Sequence, residues 1–518
     1  MMHCFLGIDA GTSGVKAVIV DENGELKSIG YQECDVISEN PGWAEQDPMD
    51  WWRACDGAVR EAVEGSGCGK EIVSIGFSGQ MQGNVMVDKE GKPIGNCMIW
   101  LDQRANEEVE EIRQLISDQE ALEITSNHCL NSYWAPKILW IKKHRPQDYE
   151  KTAKVMFTKD FLRFLMTGEI ATEVSDASLT FLMDVPNRCW SERMLQATGI
   201  PKEILPERLV ESYEIVGQLR TEVAKDWGLN PGIPVAAGAG DQPACGVGTG
   251  IVNDGVIGSS IGTSGVVFGS VDKPFMIDQE CGTFSMAHAV PDKWCFLGLA
   301  LTSGASFKWL RDNIFPDKKA AMAAAGSDVY DYMTRLAQGA AAGSDGLIFL
   351  PYLNGDKTPN NDEHARAVWF GLSQRHGIQE ICRSVMEGVT YSLRDTVELF
   401  RECGLDVKKV VASGGGAKSP LWRQMQADIY NASVVTMNME EGPGAGAAIL
   451  GAVGAGYFKN IQEACDAILK VTSVTEPNVK QVALYNEYYQ IYKNLYPSLK
   501  SNFKQNAIIV DKYHHSAE

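Results

Sequence analysis

Residues 7–25 read GIDAGTSGVKAVIVDENGE. The stretch divides into an apolar run ending at Asp9, a glycine-rich turn spelled DAGTSG from Asp9 to Gly14, a largely β-branched run from Val15 to Val20, and a second turn, DENG, at Asp21–Gly24. Apolar and β-branched runs punctuated by Gly, Asn and Asp predict strands joined by tight turns. With Glu25–Glu33 returning as a third strand, the chain opens on an antiparallel meander.

Outward from this opening, Asp47 and Pro48 precede a helical pattern carrying Trp51, Trp52, Ala54, Cys55, Ala58, Val59 and Ala62. The aspartate is placed to cap it and the proline sits in the first turn. Val73–Ser78 predicts a buried strand that ends in GQMQG at Gly79–Gly83. The same grammar recurs in the second half. Gly255–Ile261 is extended in character, Gly262–Gly265 spells GTSG again, and Val266–Gly269 returns. GTSG is common hairpin chemistry, so the repeat carries weight through its context: each copy sits at a strand-to-strand turn, which points to two related lobes. Farther on, apolar residues at spacings of three and four predict an amphipathic helix over Gln379–Glu402. A strand over Lys409–Ala412 leads into SGGGA at Ser413–Ala417, and a helix begins at Ser419–Pro420. A small-residue helix spans Ala445–Gly456, and the tail from about Tyr485 is amphipathic, then polar, fraying at His514–Glu518.

The chain has 518 residues, 47 Lys and Arg against 67 Asp and Glu, and a formal charge of −20. That length supports two large domains or three small ones. The acidic balance, with no basic run, argues against nucleic-acid and anionic-membrane partners. Thirteen cysteines, none in a C-x-x-C pair, read as reduced thiols in a reducing compartment. The first residues lack a cationic leader, and the uncharged stretches Gly255–Val271 and Gly442–Phe458 are too short and glycine-rich to span a bilayer. A cytoplasmic protein is the expectation.

Three glycine-rich turns, each leaving a strand, offer backbone N–H groups to phosphate oxygens without basic side chains. Two such hairpins facing each other across a cleft would grip the terminal phosphates of ATP, while SGGGA opening a helix suits the adenosine end. None matches G-x-x-x-x-G-K-[ST], so a Walker ATPase is excluded, and the protein-kinase H-R-D signature is absent. In GAGDQPACGVGTG at Gly238–Gly250, Asp241, Gln242 and Pro243 interrupt the glycine spacing a dinucleotide fold needs. Asp241 instead stands at a strand end, the usual lip of an α/β cleft, where it can also cap the following segment. Magnesium takes one or two carboxylates and completes its shell with water and phosphate oxygens. Asp9 and Asp241 are the candidates, and Asp241 is the preferred general base.

Read together, these motifs resemble the FGGY carbohydrate kinases, and within them the D-xylulose kinases. The likeness runs from about Leu6 to Gly456. It includes GWAEQDPMDWW at Gly42, WLDQR at Trp100, APKILWIKKH at Ala135, SGASFKWLRD at Ser303, FLPYLNGDKTP at Phe349, SGGGAKSPLWRQMQADI at Ser413, and AVWFGL at Ala367. The resemblance implies an α/β fold of two ribonuclease-H-like, actin-like lobes, with mixed sheets flanked by helices around a central cleft. The lobes are expected at 1–250 for sugar and 251–485 for nucleotide, with 486–518 as a helical and polar tail. It implies ATP as co-substrate, Mg2+, a ketose such as D-xylulose as acceptor, and a homodimer as a family expectation. Asp241 would be the catalytic base, and Asp9 with Asp241 would place the metal. Met81, Gln82, Trp100, Asp102, Asp241 and Gln242 would line the sugar pocket. Gly11, Thr12, Ser13, Gly262, Thr263, Gly304, Gly415, Gly416 and Ala417 would follow the nucleotide.

Four positions depart from the D-xylulose pattern near the expected sugar pocket: Gln82 stands in a histidine place, Gln242 in an asparagine place, Leu101 follows Trp100, and Trp134 replaces a small residue. Sites built of hydrogen bonds to hydroxyls discriminate by large factors when a partner changes, so another pentulose, a hexulose or a polyol is the alternative acceptor. An actin- or Hsp70-like ATPase would use the same phosphate hairpins but has no need of GQMQG or WLDQR. A silent sugar sensor would have no need of Asp9, Asp241 and both GTSG turns.

Overall fold

A computed structural model of the chain describes residues 3–275, 281–324 and 326–515. Two seven-stranded sheets dominate it. In the first, β1 (Cys4–Ala10), β2 (Gly14–Asp21) and β3 (Leu26–Glu33) form the antiparallel meander expected from the opening residues. On the other side of β1 lies β4 (Ile72–Gly79), parallel to it. The sheet continues through β5 (Ile215–Gln218) and β6 (Pro234–Ala236) in the order β5-β6-β4-β1-β2-β3, and β7 (Ala239–Gly240) pairs with β4.

The second sheet repeats this core. Strands β8 (Val256–Ile261) and β9 (Gly265–Val271) flank the second GTSG. Then β10 (Phe284–Ala287) and β11 (Trp294–Ala300) extend the antiparallel side. On the other side of β8 lie β12 (Lys409–Gly414), β13 (Ser433–Met437) and β14 (Val471–Thr475), in the order β10-β11-β9-β8-β12-β13-β14. In both sheets the strand that enters the glycine turn pairs antiparallel with the strand that leaves it and parallel with a later one.

Helices cover both sheets. The first, α1 (Pro48–Ser66), has Asp47 accepting from the Met49 N–H and Pro48 in its first turn, and it buries Trp51, Ala54, Cys55 and Ala58. The sequence reading anticipated the cap and the buried face, since these residues recur on one side of a helix. Helix α2 (Trp134–His144) packs in a separate apolar cluster with Tyr133, Phe157 and Phe181. Next come α3 (Asp241–Gly248), α4 (Gly304–Ile314) and the long α5 (Ile378–Glu402). They are followed by α6 (Pro420–Tyr430), α7 (Gly442–Gly454) and α8 (Val479–Val510).

Although α7 lies late in the chain, it packs on the first sheet. A Cβ on Gly7 of β1 would stand 1.9 Å from the Gly444 carbonyl oxygen, and one on Gly76 of β4 would stand 1.8 Å from that of Ala447. Its near-continuous small and apolar sequence is what permits backbone-to-backbone approach. Helix α8 crosses residue 485 without a break and sets Tyr485, Tyr489, Tyr492 and Tyr496 against the second lobe. The Tyr485 hydroxyl donates to Glu387 Oε1 at 2.8 Å, and the Tyr489 hydroxyl to Asp395 Oδ1 at 2.5 Å, both on α5. Fraying was expected over His514–Glu518, but the last turn, Asp511–His515, carries the helix through the first two of these residues, and 516–518 lie outside the described residues. Among the described residues no helix is long and apolar enough to cross a membrane. The thirteen cysteines are all free, and Cys189 is the exposed one.

Candidate active site

Asp9 and Asp241 arrive from different parts of the first lobe. Asp9 is the penultimate residue of β1, and its Oδ1 accepts from the Ser78 hydroxyl on the neighbouring β4 at 2.9 Å. Asp241 opens α3 directly after β7, as an acidic residue in the first turn rather than the cap itself. Burial pushes the Asp241 carboxyl up to about 7, and the charge of Asp9 adds to the rise, while hydrogen bonds from the Gln242 backbone and side chain oppose it. Burial likewise raises Asp9, against the pull of Ser78 and Lys16. A carboxylate raised by burial and by the charge of a second, itself buried carboxylate forms a site that favours a cation or a proton. Cys245, one turn along α3, is pushed up to about 12 by burial and by both aspartates, which keeps it a neutral thiol.

The first glycine turn is held rigidly. The Trp100 indole N–H donates to the Thr12 hydroxyl oxygen at 2.9 Å, and that hydroxyl donates to Gln80 Oε1 at 3.3 Å. Gln80 Nε2 donates to Gln46 Oε1 at 2.8 Å, and Gln46 Nε2 donates to the Thr12 carbonyl at 2.9 Å. Ser13 is exposed, its carbonyl accepting from the Tyr31 hydroxyl and the Cys34 N–H, both at 3.0 Å. Thr12 therefore presents its backbone and an already engaged hydroxyl, so the donors left for an anion at this turn are amides and the exposed Ser13 hydroxyl.

The second turn is braced by α4. Gly304 and Ala305 donate their backbone N–H groups to the carbonyls of Gly262 and Thr263 at 2.8 and 3.0 Å. Gly304 is required there, since a Cβ would lie 2.3 Å from the Gly262 oxygen. Gly262, Thr263, Gly304, Gly415 and Gly416 all line one cavity of about 480 Å³. Ala417 lines a second cavity, of about 470 Å³, with Lys418 and Thr436. The first cavity also receives Asp331 and Arg335, from a helix over Val329–Gly339, together with Phe307 and Trp422. The residues from the 329–339 helix were not legible in the sequence, because nothing local ties an ordinary amphipathic helix to a glycine turn some seventy residues away.

The expected sugar residues divide into three kinds. Met81 is buried, with its thioether end against Gly240, immediately before Asp241. Gln82 is 7% exposed and has φ of +69°, the left-handed region that disfavours a side chain. Trp100 is 46% exposed, so its ring is not core packing. Asp102 is 1% exposed and fully engaged: Oδ2 accepts from the Ala44 N–H at 2.8 Å, and both oxygens accept from Arg104. Arg104 in turn pairs with Glu45 at 2.8 Å and lies over the Trp43 ring at 3.6 Å. Asp102 thus orients the segment that carries Trp100 and offers no free acceptor. Gln46, Gln80 and Ser78, which hydrogen-bond the Thr12 turn and Asp9, were not singled out from the sequence, although Gln80 lies within the quoted GQMQG.

The donor set suits magnesium bound with a nucleotide. Asp9 keeps one oxygen without a bonded donor, Asp241 is its neighbour, and no group of three or more His, Cys, Asp or Glu able to hold a metal occurs among the described residues. Two carboxylates leave the remaining positions to phosphate oxygens and water.

Comparison with known proteins follows the same division of the chain. Residues 4–248 match the N-terminal domain, and residues 258–455 the C-terminal domain, of the FGGY family of carbohydrate kinases. The xylulose kinase of Bacillus subtilis (strain 168) is 35% identical over 500 residues, covering 96% of this chain and 98% of the relative. Among solved structures, one described as a xyloylose kinase from Brucella ovis superposes with a TM-score of 0.86 at 32% identity, covering 96% of this chain and 100% of the other. A gluconate kinase from Lactobacillus acidophilus superposes with a TM-score of 0.88 at 25% identity, covering 98% and 100%.

Proposed function

The chain belongs to the FGGY family of carbohydrate kinases, and from that premise we propose that it transfers the γ-phosphoryl group of ATP to the terminal hydroxyl of D-xylulose, giving D-xylulose 5-phosphate. The observation that carries the chemistry is Asp241, a carboxylate at the mouth of α3 whose affinity for a proton is raised to near neutrality beside Asp9. The D-xylulose assignment is supported by relatives of that name at 35% identity over nearly the whole chain.

In this mechanism the residues at 1–250 hold the ketose and, through Gly11–Ser13, part of the phosphate chain, and those at 251–485 hold the rest of the nucleotide. Met81, Gln82, Trp100 and Gln242 bound the acceptor, with Asp102 fixing Trp100 from behind. Asp241 accepts the proton of the attacking hydroxyl as the oxygen bonds to phosphorus, and the leaving ADP carries away the electron pair of the broken P–O bond. A base with a pKa close to the working pH suits this step, which is worth about 10²- to 10⁴-fold. Asp9 and Asp241 would hold Mg2+, which when bound supplies neutralisation of phosphate charge. The amides at Gly11–Ser13 and Gly262–Thr263 receive phosphate oxygens. The adenosine end occupies the cavity between Gly304 and Gly415–Gly416.

The test is ADP release measured over a panel of pentuloses, hexuloses, polyols and gluconate. D-xylulose is expected to give the highest kcat/KM. A higher value for another acceptor would move the substrate assignment, and sugar-independent ATP turnover with no acceptor response would overturn the kinase reading.

A further inference from the structure

The most economical way to fill the space of Lys137 would be an uncharged side chain, because burial disfavours the ammonium form and pushes this amine down to about 7. Yet Lys137 is completely buried, and its Nζ makes its hydrogen bonds to main-chain carbonyls: Gln82 at 3.0 Å, Met98 at 3.0 Å and Ile99 at 2.8 Å. An ammonium has three donors, and all three are used. The acceptors come from two separate segments, the GQMQG loop after β4 and the residues that lead into Trp100. One helical turn earlier, the Trp134 indole N–H donates to the Gly83 carbonyl at 2.8 Å, and its ring stacks on Phe157 at 4.1 Å. The first turn of α2 therefore holds the carbonyls of two consecutive loop residues, one of which, Gln82, has a left-handed backbone. Gly83 is itself confined, since a Cβ would lie 3.0 Å from Thr158 Oγ1 and 3.2 Å from Cys97 Sγ.

We infer that Lys137 and Trp134 are positioning residues for the acceptor, gathering the Gln82–Gly83 turn and the approach to Trp100 into one surface without touching the sugar. This rests on the proposed function only in taking that surface as the acceptor site. The cavity taken for the adenosine end lies apart from this surface, against α4 and the SGGGA turn, with the Trp100 bond to Thr12 linking the surface to the phosphate side.

The experiment compares the full-length enzyme with Lys137→Met, which keeps chain length and removes the donors, and Trp134→Phe, which keeps a stacking ring and removes the N–H. Steady-state kinetics with ATP·Mg and the best acceptor of the panel are expected to show KM for the acceptor raised about tenfold in Lys137→Met and about threefold in Trp134→Phe. KM for ATP should stay within twofold. Equal shifts in both KM values, or loss of kcat with the acceptor KM unchanged, would indicate a merely structural role and overturn the inference. If Lys137→Met does not fold, Trp134→Phe decides alone, and an unchanged acceptor KM in that variant refutes the clamp. A wild-type enzyme inactive across the panel would sink the proposed function and this inference with it, whereas an active wild type with unaltered variants would sink the inference alone.

Discussion

Gly446 of α7 lies so close to Ala244 of α3 that a Cβ on the glycine would stand 1.9 Å from the alanine carbonyl oxygen. The contact is doubled nearby, where a Cβ on Gly248 would stand 1.9 Å from the Gly442 oxygen. The helix that begins with Asp241 is therefore seated backbone to backbone on the helix that also packs against Gly7 of β1, two residues before Asp9. Through α7, the placement of the two aspartates is tied to backbone contacts at Gly7 and Ala244, on the same strand and helix that carry the carboxylates.

Gly446→Ala cannot be accommodated by moving a flexible side chain, because the opposing atom is main chain. The substitution is expected to destabilise by about 1–3 kcal/mol or more and to lower kcat as α3 is displaced. Denaturant unfolding alongside steady-state rates checks this, and wild-type values in both would show that the helices separate freely.

Asp241→Asn removes the proposed base and should lower kcat by about 10²- to 10⁴-fold while acceptor binding persists. It should also stabilise the ligand-free protein in one pH window. The folded carboxyl holds its proton up to about pH 7, whereas an unfolded aspartate releases it near pH 4. The raised pKa thus costs stability progressively from pH 4 to 7, and the full cost, on the order of 4 kcal/mol at most, applies above 7. Thermal midpoints of variant and wild type should coincide at pH 4 and diverge in favour of the variant at pH 8. Parallel curves would show that Asp241 is not strained.

Asp9→Asn takes away the second cause of the Asp241 shift and leaves burial in place. In the metal- and nucleotide-free protein the Asp241 titration should move downward from about 7 without reaching the range of an exposed aspartate. Carbon-13 NMR of the labelled carboxyl follows it directly, and an unmoved midpoint would mean that the two carboxylates do not sense each other.

Gly304→Ala drives a methyl group toward the Gly262 oxygen, at 2.3 Å in the unrelaxed geometry. The second glycine turn must shift to admit it, so on the proposed function KM for ATP should rise about tenfold or more while that for the acceptor stays within twofold. Product-coupled kinetics separate the two. A raised acceptor KM alone would place Gly304 outside the nucleotide site.

Much of the architecture was legible because its signals are local. The meander around DAGTSG, the capped helix after Asp47 and the amphipathic run from 378 to 402 each follow from side-chain periodicity and turn chemistry over a few residues. Gly262, Thr263, Gly415 and Gly416 stood out in the same way, since a glycine turn leaving a strand can bind an anion before any folding is considered, whereas Gly304 was named only through the family resemblance. Asp331 and Arg335 carried no such mark, because their place in the cavity depends on how one amphipathic helix docks. The true state of Asp102 was equally hidden: a carboxylate beside Trp100 looks available until Arg104 and the Ala44 amide are seen to occupy it.

By itself, the sequence determined two lobes of repeated grammar, the glycine turns and the pair of carboxylates, since all of these reside in short patterns and in residue types. Only the tertiary structure decided that α7 belongs against the first sheet, that Lys137 and Trp134 stand behind the Gln82–Gly83 turn, and that Asp241 is raised toward neutral pH. Each of these depends on desolvation or on approach between segments remote in the chain, and neither is encoded in a local pattern.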